Sequence, residues 1–410
     1  MNVQQYHKMD KVQIARINKY NVLRCLIRNG PINRAAIAKR ADLSIPTVMS
    51  IIDDLFEKGM VRSMGKGESS GGKPPEMLEV VPDRFYYIGV DIGRTAVRVV
   101  VNDIISRQIA CLQEPAGELF PEKEFVGRLC ALVMQIYGPL HVEKDRILGA
   151  GIAMPGLIEN ETGNVLFSPD FGWNNIPLKS WLQASLPFPV IVENANRALA
   201  LNESYVPGEE DHSHTTFTVN LGYGIGAGLI MGEDLYAGAS GTSGEIGHIT
   251  VDRGGPLCQC GNRGCLEAVA SGAAIAGQGR RLAEQGMSPK LVEFCGGKPE
   301  TVDAAMIFRA ANSGDGAALE IIDTAAEYIG IGLSMAINVL DPDRVVLCGG
   351  LMRNGPLFFD RIKASLQRHQ MRQTGRQMVL TAGAGGEYST ANGACRVLAN
   401  SLWRRWALPI

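Results

Sequence analysis

The sequence predicts an α/β protein that carries a small helical domain at its N-terminus. Three short helical patterns and a glycine-rich hairpin occupy residues 1–80. From Phe85 onward, strand-like runs follow, with helical stretches between the later ones, which is the pattern of an α/β fold. The predicted strands are 87–93, 97–101, 147–154, 190–193, 217–220 and 344–347. A chain of 410 residues is long enough for two or three domains. We call residues 1–80 the head and residues 84–410 the body.

The net charge has opposite signs in the head and in the rest of the chain. Residues 1–80 contain 13 Lys/Arg and 8 Asp/Glu, a net charge of +5, and the remaining 27 basic and 34 acidic residues give −7, so the whole chain carries −2. A basic head on an acidic body favours an anionic partner for the head, although an excess of this size also fits an ordinary solvated surface.

The helical patterns of the head follow one another closely. In the first, apolar residues recur at helical spacing until Gly30-Pro31 stops the helix. The second begins after a cap at Asn33, and the third begins after a cap at Ser44, with Pro46 in its first turn. Gly59 ends the third helix.

The third helix and the segment after it predict DNA binding. The helix presents side chains outward near its N-terminus, where a recognition helix meets base edges. Two strand-like runs, 60–64 and 76–80, flank a glycine-rich segment whose lysines can reach phosphates or the minor groove. This pattern predicts a winged helix-turn-helix, and a helical dimerisation module with a flexible linker is the alternative. The expected DNA contacts are Ser44, Thr47, Met49, Ser50, Lys66 and Lys73.

The sequence predicts neither secretion nor insertion into a membrane. The chain has no leader of the secretory type and no uninterrupted apolar run of about 18 residues. Six of the nine cysteines lie far apart in mostly apolar surroundings, a pattern that predicts a reducing, cytoplasmic compartment.

The other three cysteines and a histidine predict a metal site. Three thiolates and one imidazole form the closed tetrahedral ligand set of a structural zinc ion. Gly261 and Gly264 allow the tight turn that brings the thiols together. The alternative is a group of small buried side chains without a metal. We expect one zinc ion per chain, with the ligands His248, Cys258, Cys260 and Cys265.

The segment around these ligands resembles the signature of the ROK (repressor, open reading frame, kinase) family. Gly244-Glu245-Ile246-Gly247-His248 precedes the cysteines, and Glu267 follows them. The family contains sugar-responsive repressors, which resemble this chain in carrying a head, and sugar kinases, which lack one. The resemblance covers nearly all of residues 84–400 and implies an actin-like ATPase fold with a ligand cleft between two α/β lobes. It implies a lobe I of about 84–194 plus about 383–410 and a lobe II of about 195–382.

The resemblance also implies a sugar-binding site. Asn194, Glu245, His248 and Glu267 match the family's sugar contacts. His248 can bind zinc through one ring nitrogen and offer the other nitrogen to a sugar hydroxyl. Two alternatives stay open, since Glu245 could instead orient His248 and Asn194 could cap a turn.

Three positions depart from the pattern of the family's kinases. Where kinases read Glu-Asn-Asp-Ala-Asn, an ungapped alignment places Ala195 at the catalytic Asp, the base that takes the proton from the sugar hydroxyl. Arg94 replaces a glycine of the first phosphate loop, and Tyr223 replaces a threonine of the second. We therefore expect no kinase activity and no ATP cofactor.

Together these features predict a DNA-binding regulator of sugar-metabolism genes that acts as a repressor. We expect it to bind double-stranded operator DNA as a homodimer or homotetramer. A sugar or sugar phosphate bound between the lobes would change the spacing of two heads. The alternatives are a bifunctional sugar kinase with a DNA-binding head and a repressor controlled by a protein partner.

Overall fold

The structure is a computed structural model that describes residues 10–68, 74–117, 121–159, 161–205, 214–371, 378–383 and 386–404. Lys73, one of the expected DNA contacts, lies outside the described residues. Among the helices of the described ranges, none combines the length and the apolar character that crossing a membrane requires.

The head consists of three helices followed by a two-stranded antiparallel hairpin. The side chain of Asn33 accepts a hydrogen bond from Ala36 N–H, and Ser44 Oγ accepts one from Thr47 N–H, so the second and third helices have the predicted caps. The third helix ends two residues before Gly59. The elements are α1 (Lys11–Asn29), α2 (Arg34–Ala41), α3 (Ile45–Glu57), β1 (Val61–Lys66) and β2 (Glu76–Val80).

Lobe I is the part of the body built on a five-stranded sheet of order β10-β6-β3-β4-β5. Strands β10, β6 and β3 run parallel, whereas β4 and β5 are antiparallel to their neighbours. Helix α4 covers one face of this sheet. The elements are β3 (Tyr86–Ile92), β4 (Ala96–Asp103), β5 (Gln108–Pro115), α4 (Glu122–Tyr137), β6 (Ile147–Met154), β7 (Leu157–Ile158), β8 (Val165–Ser168), β9 (Trp173–Ile176), α5 (Leu178–Ser185) and β10 (Val190–Asn194).

Lobe II is built on a second five-stranded sheet, of order β13-β12-β11-β14-β15. Its core is the cluster around the 25-residue helix α11. The elements are α6 (Ala195–Glu203), β11 (Thr215–Leu221), β12 (Ile225–Met231), β13 (Asp234–Tyr236), α7 (Leu266–Ala270), α8 (Gly272–Glu284), α9 (Pro289–Phe294), α10 (Ala304–Asn312), α11 (Gly316–Leu340), β14 (Arg344–Cys348), α12 (Pro356–His369) and β15 (Val379–Ala382).

Two helices lie between the two sheets and join the lobes. Helix α13 (Ser389–Arg404) packs on β3 and β6 of lobe I, and α6 packs on β11 and β12 of lobe II and against α13. A Cβ atom at Gly89 would lie 2.0 Å from the carbonyl oxygen of Ala391, so only glycine permits this approach of α13 to the sheet. The two helices therefore connect the lobes through close backbone contacts.

The head packs directly on the body. Leu23 and Leu26 of α1 share one buried cluster with Tyr87 of lobe I and with Leu398 of α13. This cluster joins the head to lobe I through an apolar contact. The domain bounds drawn from the sequence stay a prediction.

Candidate ligand cleft and metal centre

The four predicted zinc ligands lie together in the segment between β13 and α7. His248 Nδ1 lies 3.7 Å from Cys258 Sγ, and Cys260 Sγ lies 3.6 Å from Cys265 Sγ. All four ligand atoms lie within 4.8 Å of one another. A tetrahedral zinc ion with bonds of about 2.3 Å to sulfur and about 2.0 Å to nitrogen separates its ligands by roughly 3.5–3.8 Å. The four atoms can therefore hold a metal ion, and the two shortest separations match those expected around a tetrahedral zinc ion.

Two glycine turns bring the thiols of this cluster together, and burial changes the pKa of one of them. Gly261 and Gly264 adopt positive φ angles of 93° and 68°, and a Cβ at Gly264 would lie 1.5 Å from the carbonyl oxygen of Asp252. Burial, reinforced by the two neighbouring thiols, raises the pKa of Cys265 to about 12. A cation would allow these crowded sulfurs to lose their protons together, as a zinc site requires.

His248 lies between the three cysteines and the predicted sugar contact Glu245. Its Nδ1 faces the thiols, whereas its Nε2 lies 3.8 Å from Glu245 Oε2. The Glu245 side chain is 38% exposed, so it is open to a ligand as well as close to His248. Burial raises the pKa of Glu245, and the nearby His248 and Arg197 oppose that shift. This geometry accommodates both roles considered for Glu245, sugar contact and orientation of His248.

The other two predicted sugar contacts make hydrogen bonds within the protein. Asn194 Oδ1 caps α6 by accepting bonds from Asn196 N–H and Arg197 N–H, and its Nδ2 donates to Gly156 O. Glu267 Oε2 accepts a bond from Ile225 N–H at 2.9 Å. Asn194 therefore has the capping role that the sequence left open, and its contact with sugar stays a prediction.

The three residues that depart from the kinase pattern each follow the end of a strand, namely β3, β10 and β11. Ala195 is the first residue of α6 and follows the carboxyl end of β10. The guanidinium carbon of Arg94 lies 4.4 Å from the centre of the Tyr223 ring. The carboxylate of Asp91 lies 3.4 Å from Arg98 Nη1, and burial, which Arg98 opposes, raises the pKa of Asp91 to about 6.

A buried charged residue beside Asn194 has no counterpart in the sequence prediction. The Arg197 side chain is 1% exposed, pairs with Glu193 and donates a hydrogen bond to Gly241 O. It therefore ties strand β10 to the segment that leads to Glu245. The only sequence signal is the four-residue spacing of Glu193 and Arg197, which crosses a boundary between a strand and a helix.

The described DNA-contact candidates lie on the surface of the head. Ser44, Ser50 and Lys66 are exposed and Met49 is 48% exposed, whereas Thr47 is half-buried. The opposite face of α3 packs into the core of the head. The N-terminal part of α3 is therefore open to a partner, and the base contacts of these residues stay a prediction.

A second contact between head and body reaches lobe II. Arg24 and Arg28 of α1 both pair with Glu233, which lies in the turn between β12 and β13. The four-residue spacing of the arginines places both on one face of α1. No local pattern identifies their partner, because Glu233 lies more than 200 residues away along the chain.

Comparisons with known proteins agree with this architecture. The ROK family model matches residues 87–400, and the MarR family model matches residues 17–66. The xylose repressor of Caldicellulosiruptor bescii is 33% identical over 355 residues, which cover 85% of this chain and 87% of the repressor.

Two solved structures share the fold. A ROK family transcriptional regulator, described as a homologue of the Escherichia coli MLC protein, has a TM-score of 0.80 at 24% identity and covers 96% of this chain and 99% of its own. A ROK family glucokinase from Streptomyces griseus, solved with glucose and AMPPNP, has a TM-score of 0.68 at 28% identity and covers 77% of this chain and 99% of its own. The chain belongs to the ROK family and carries a MarR-type winged helix at its N-terminus.

Proposed function

We propose that the protein is a transcriptional repressor of sugar-metabolism genes whose DNA binding is controlled by a sugar or sugar phosphate in the cleft. The observation that carries this proposal is the 3.8 Å approach of His248 Nε2 to Glu245 Oε2. It is supported by the resemblance, which aligns Ala195 with the catalytic base of the kinases. A site of this kind can bind a sugar, but it lacks the group that activates a hydroxyl.

The cleft binds sugar hydroxyls through fixed donors and acceptors. Glu245 accepts hydrogen bonds from two hydroxyls, and His248 Nε2 donates one or accepts one, depending on its tautomer. Zinc, when bound, fixes the His248 ring through Nδ1 and leaves Nε2 to the ligand. Glu267, held by Ile225 N–H, keeps its position at the start of α7 and supplies a further acceptor.

The head reads DNA in this proposal. The exposed side chains at the N-terminus of α3 contact base edges in the major groove, and Lys66 and Lys73 contact phosphates. Two heads of a homodimer bind two half-sites, so a change in their spacing weakens operator binding.

Helix α1 supports a route from the cleft to the head, because it contacts both lobes. Its apolar side packs on lobe I and α13, while Arg24 and Arg28 pair with Glu233 of lobe II. A ligand that changes lobe closure moves Glu233 relative to the apolar contact. The ligand can shift the head only by its difference in affinity for the two lobe arrangements.

The test uses the full chain and double-stranded DNA selected from a random pool by the unliganded protein. D-Xylose, D-glucose and their phosphates are titrated against the complex, and DNA dissociation is measured. We expect one of these ligands to release the DNA. Because hydrogen bonds to charged groups contribute about 1.5–3 kcal/mol, Glu245→Gln should weaken that response by about ten- to a hundredfold and leave unliganded DNA binding unchanged.

The matched control is Glu284→Gln, which removes an exposed carboxylate on α8. It should respond to the ligand like the wild type. An unaltered ligand response in Glu245→Gln would contradict the proposed site.

A further inference from the structure

Two of the residues that depart from the kinase pattern meet across the cleft. Arg94 follows β3 of lobe I, and Tyr223 lies in the loop between β11 and β12 of lobe II. The guanidinium group of Arg94 stacks on the Tyr223 ring, with its central carbon 4.4 Å from the ring centre. The resemblance to the family's kinases implies that the loops carrying these residues lie at the phosphates of the nucleotide. The two substitutions therefore form a contact that neither would make alone.

Neighbouring groups hold both partners of the stack in place. Arg94 Nη1 lies 3.4 Å from Asp170 Oδ1, so the guanidinium is anchored within lobe I. The carbonyl oxygen of Tyr223 accepts a hydrogen bond from Ala273 N–H at the start of α8, and that of Gly222 accepts one from Gly272 N–H. These amides at the N-terminus of α8 are the groups that would otherwise favour an anion. Both N–H groups are therefore already hydrogen-bonded to backbone carbonyls of the loop between β11 and β12.

The stack lies close to the sugar side of the cleft along the chain. Gly224 follows Tyr223, and a Cβ at Gly224 would lie 2.4 Å from Glu267 Oε2. The next residue, Ile225, donates its N–H to the same oxygen. Tyr223 is therefore separated by one residue from the backbone N–H group that binds the predicted sugar contact Glu267. Asp170 already neutralises Arg94, which disfavours a role for Arg94 as a free phosphate-binding group.

We propose that the Arg94–Tyr223 stack joins the two lobes on the nucleotide side of the cleft and makes the site specific for a sugar without a nucleotide. The large side chains occupy the path of the phosphates, and their contact closes the lobes in place of the bound nucleotide. The sugar part of this inference rests on the proposed function, whereas the exclusion of nucleotide and the closure of the lobes do not.

The experiment measures the distance between the lobes of the full chain without sugar, by fluorescence energy transfer between one dye on each lobe. A cation–π contact at an exposed site changes an equilibrium constant by about two- to fivefold. We expect Arg94→Gln to raise the ratio of open to closed protein by that factor, and Arg94→Lys and Tyr223→Phe, which keep a cation over a ring, to behave like the wild type.

The matched control is Arg309→Gln. Arg309 stacks on Phe294 with its guanidinium carbon 3.7 Å from the ring centre, and both residues belong to lobe II. Removing this charge should leave the distance between the lobes unchanged, because the contact does not cross the cleft.

A second measurement tests the exclusion of nucleotide with Mg·AMPPNP as the probe. The double variant Arg94→Gly/Tyr223→Thr restores the residues that the kinases carry and should bind the probe, whereas the wild type should not. An unchanged distance in Arg94→Gln overturns the proposed closure. Tight binding of Mg·AMPPNP by the wild type overturns the proposed exclusion. Neither result bears on the sugar response of the wild type, which the DNA-release experiment tests.

Discussion

The two sides of the cleft differ in what the chain provides for a ligand. On the sugar side, Glu245 and His248 lie 3.8 Å apart, and His248 also belongs to the metal cluster. On the proposed nucleotide side, Arg94 and Tyr223 stack on each other. Between the two sides, the resemblance aligns Ala195, which offers no proton acceptor, with the catalytic base of the kinases. Binding needs fixed hydrogen-bonding groups, whereas phosphoryl transfer also needs a base and an open path for the phosphates. The same fold can therefore keep the first ability without the second.

The largest expected effect comes from the metal ligands on the sugar side. Cys258→Ser/Cys260→Ser removes two of the four ligands, so bound zinc should fall from about one ion per chain to none. Structural zinc contributes about 10–16 kcal/mol of apparent binding free energy in small peptides, so the loop should lose its order and the sugar response should disappear. Elemental analysis of purified protein measures the metal. Full retention of zinc would exclude this ligand set.

The exposed Cys111→Ser variant is the control for the metal experiment. It removes a thiol of lobe I outside the cluster and should retain the metal. Loss of zinc in this variant as well would mean that the cysteine content, and not the proposed site, determines metal binding.

The next effect concerns the buried carboxyl group of Asp91 and the pH dependence of stability that it causes. Burial raises the pKa of Asp91 to about 6, against the effect of Arg98, which itself also pairs with Glu387. The unfolded value is about 3.9, so the folded state binds more protons between about pH 4 and pH 6, and stability falls as the pH rises through this window. The loss amounts to roughly 3 kcal/mol above pH 6.

Asp91→Asn removes this titration. The free energy of unfolding of the variant minus that of the wild type should therefore increase by roughly 2 kcal/mol between pH 4 and pH 7, because the unfolded carboxyl is already about half ionised at pH 4. Denaturant unfolding at several pH values measures this difference, with Asp145→Asn, an exposed carboxylate of lobe I, as the control for the loss of one charge. A difference that is constant over this range would contradict the buried, proton-binding carboxyl.

A smaller effect tests whether ligand binding acts on the head through the ion pairs of Glu233. Glu233→Gln removes the charge that pairs with Arg24 and Arg28. Since partly exposed ion pairs contribute about 0.2–1 kcal/mol each, the loss of both should reduce the ligand's effect on DNA affinity by about two- to thirtyfold. Fluorescence anisotropy with labelled DNA measures the effect. Glu114→Gln, which breaks a pair with Arg128 inside lobe I, should leave the response intact. Equal effects of the two variants would contradict a route through Glu233.

The smallest expected effect is that of Ala195→Asp. This change returns the carboxylate that the kinases use as a base, a group worth about 10²–10⁴ in rate. We expect no measurable kinase activity from it, because Arg94 and Tyr223 remain stacked and, in our proposal, block the phosphates of the nucleotide. Sugar-dependent ADP release measures the outcome. Efficient turnover by this single variant would show that the stack does not block the nucleotide.

The sequence could predict the features that depend on local spacing. The caps at Asn33 and Ser44, the metal cluster and the apolar strands of both lobes are short-range patterns, and the structure has the predicted strands with ends shifted by at most two residues. Strand β5 has no predicted counterpart, because its partly exposed position at a sheet edge leaves only a weak apolar pattern.

Other features depend on distant parts of the chain. Strand β12 has the glycine-rich sequence of a loop, yet a Cβ at Gly228 would lie 2.5 Å from Ala200 Cβ, so glycine there serves the packing of α6. The partners of Arg24, Arg94 and Arg197 come from other elements, and no local pattern identifies them. The sequence shows that each of these residues is charged, but the residue that it contacts follows only from the fold.

The most direct test of the central claim follows the ligand itself. The complex of the full chain with its selected DNA is incubated with Mg·ATP and with each of D-xylose, D-glucose and their phosphates, and DNA release and the mass of the recovered sugar are measured in the same sample. We predict that one ligand releases the DNA, does so equally without ATP, and is recovered chemically unchanged. Phosphorylation of that sugar at about 1 s⁻¹ or faster, an ordinary rate for an enzyme, would contradict the account.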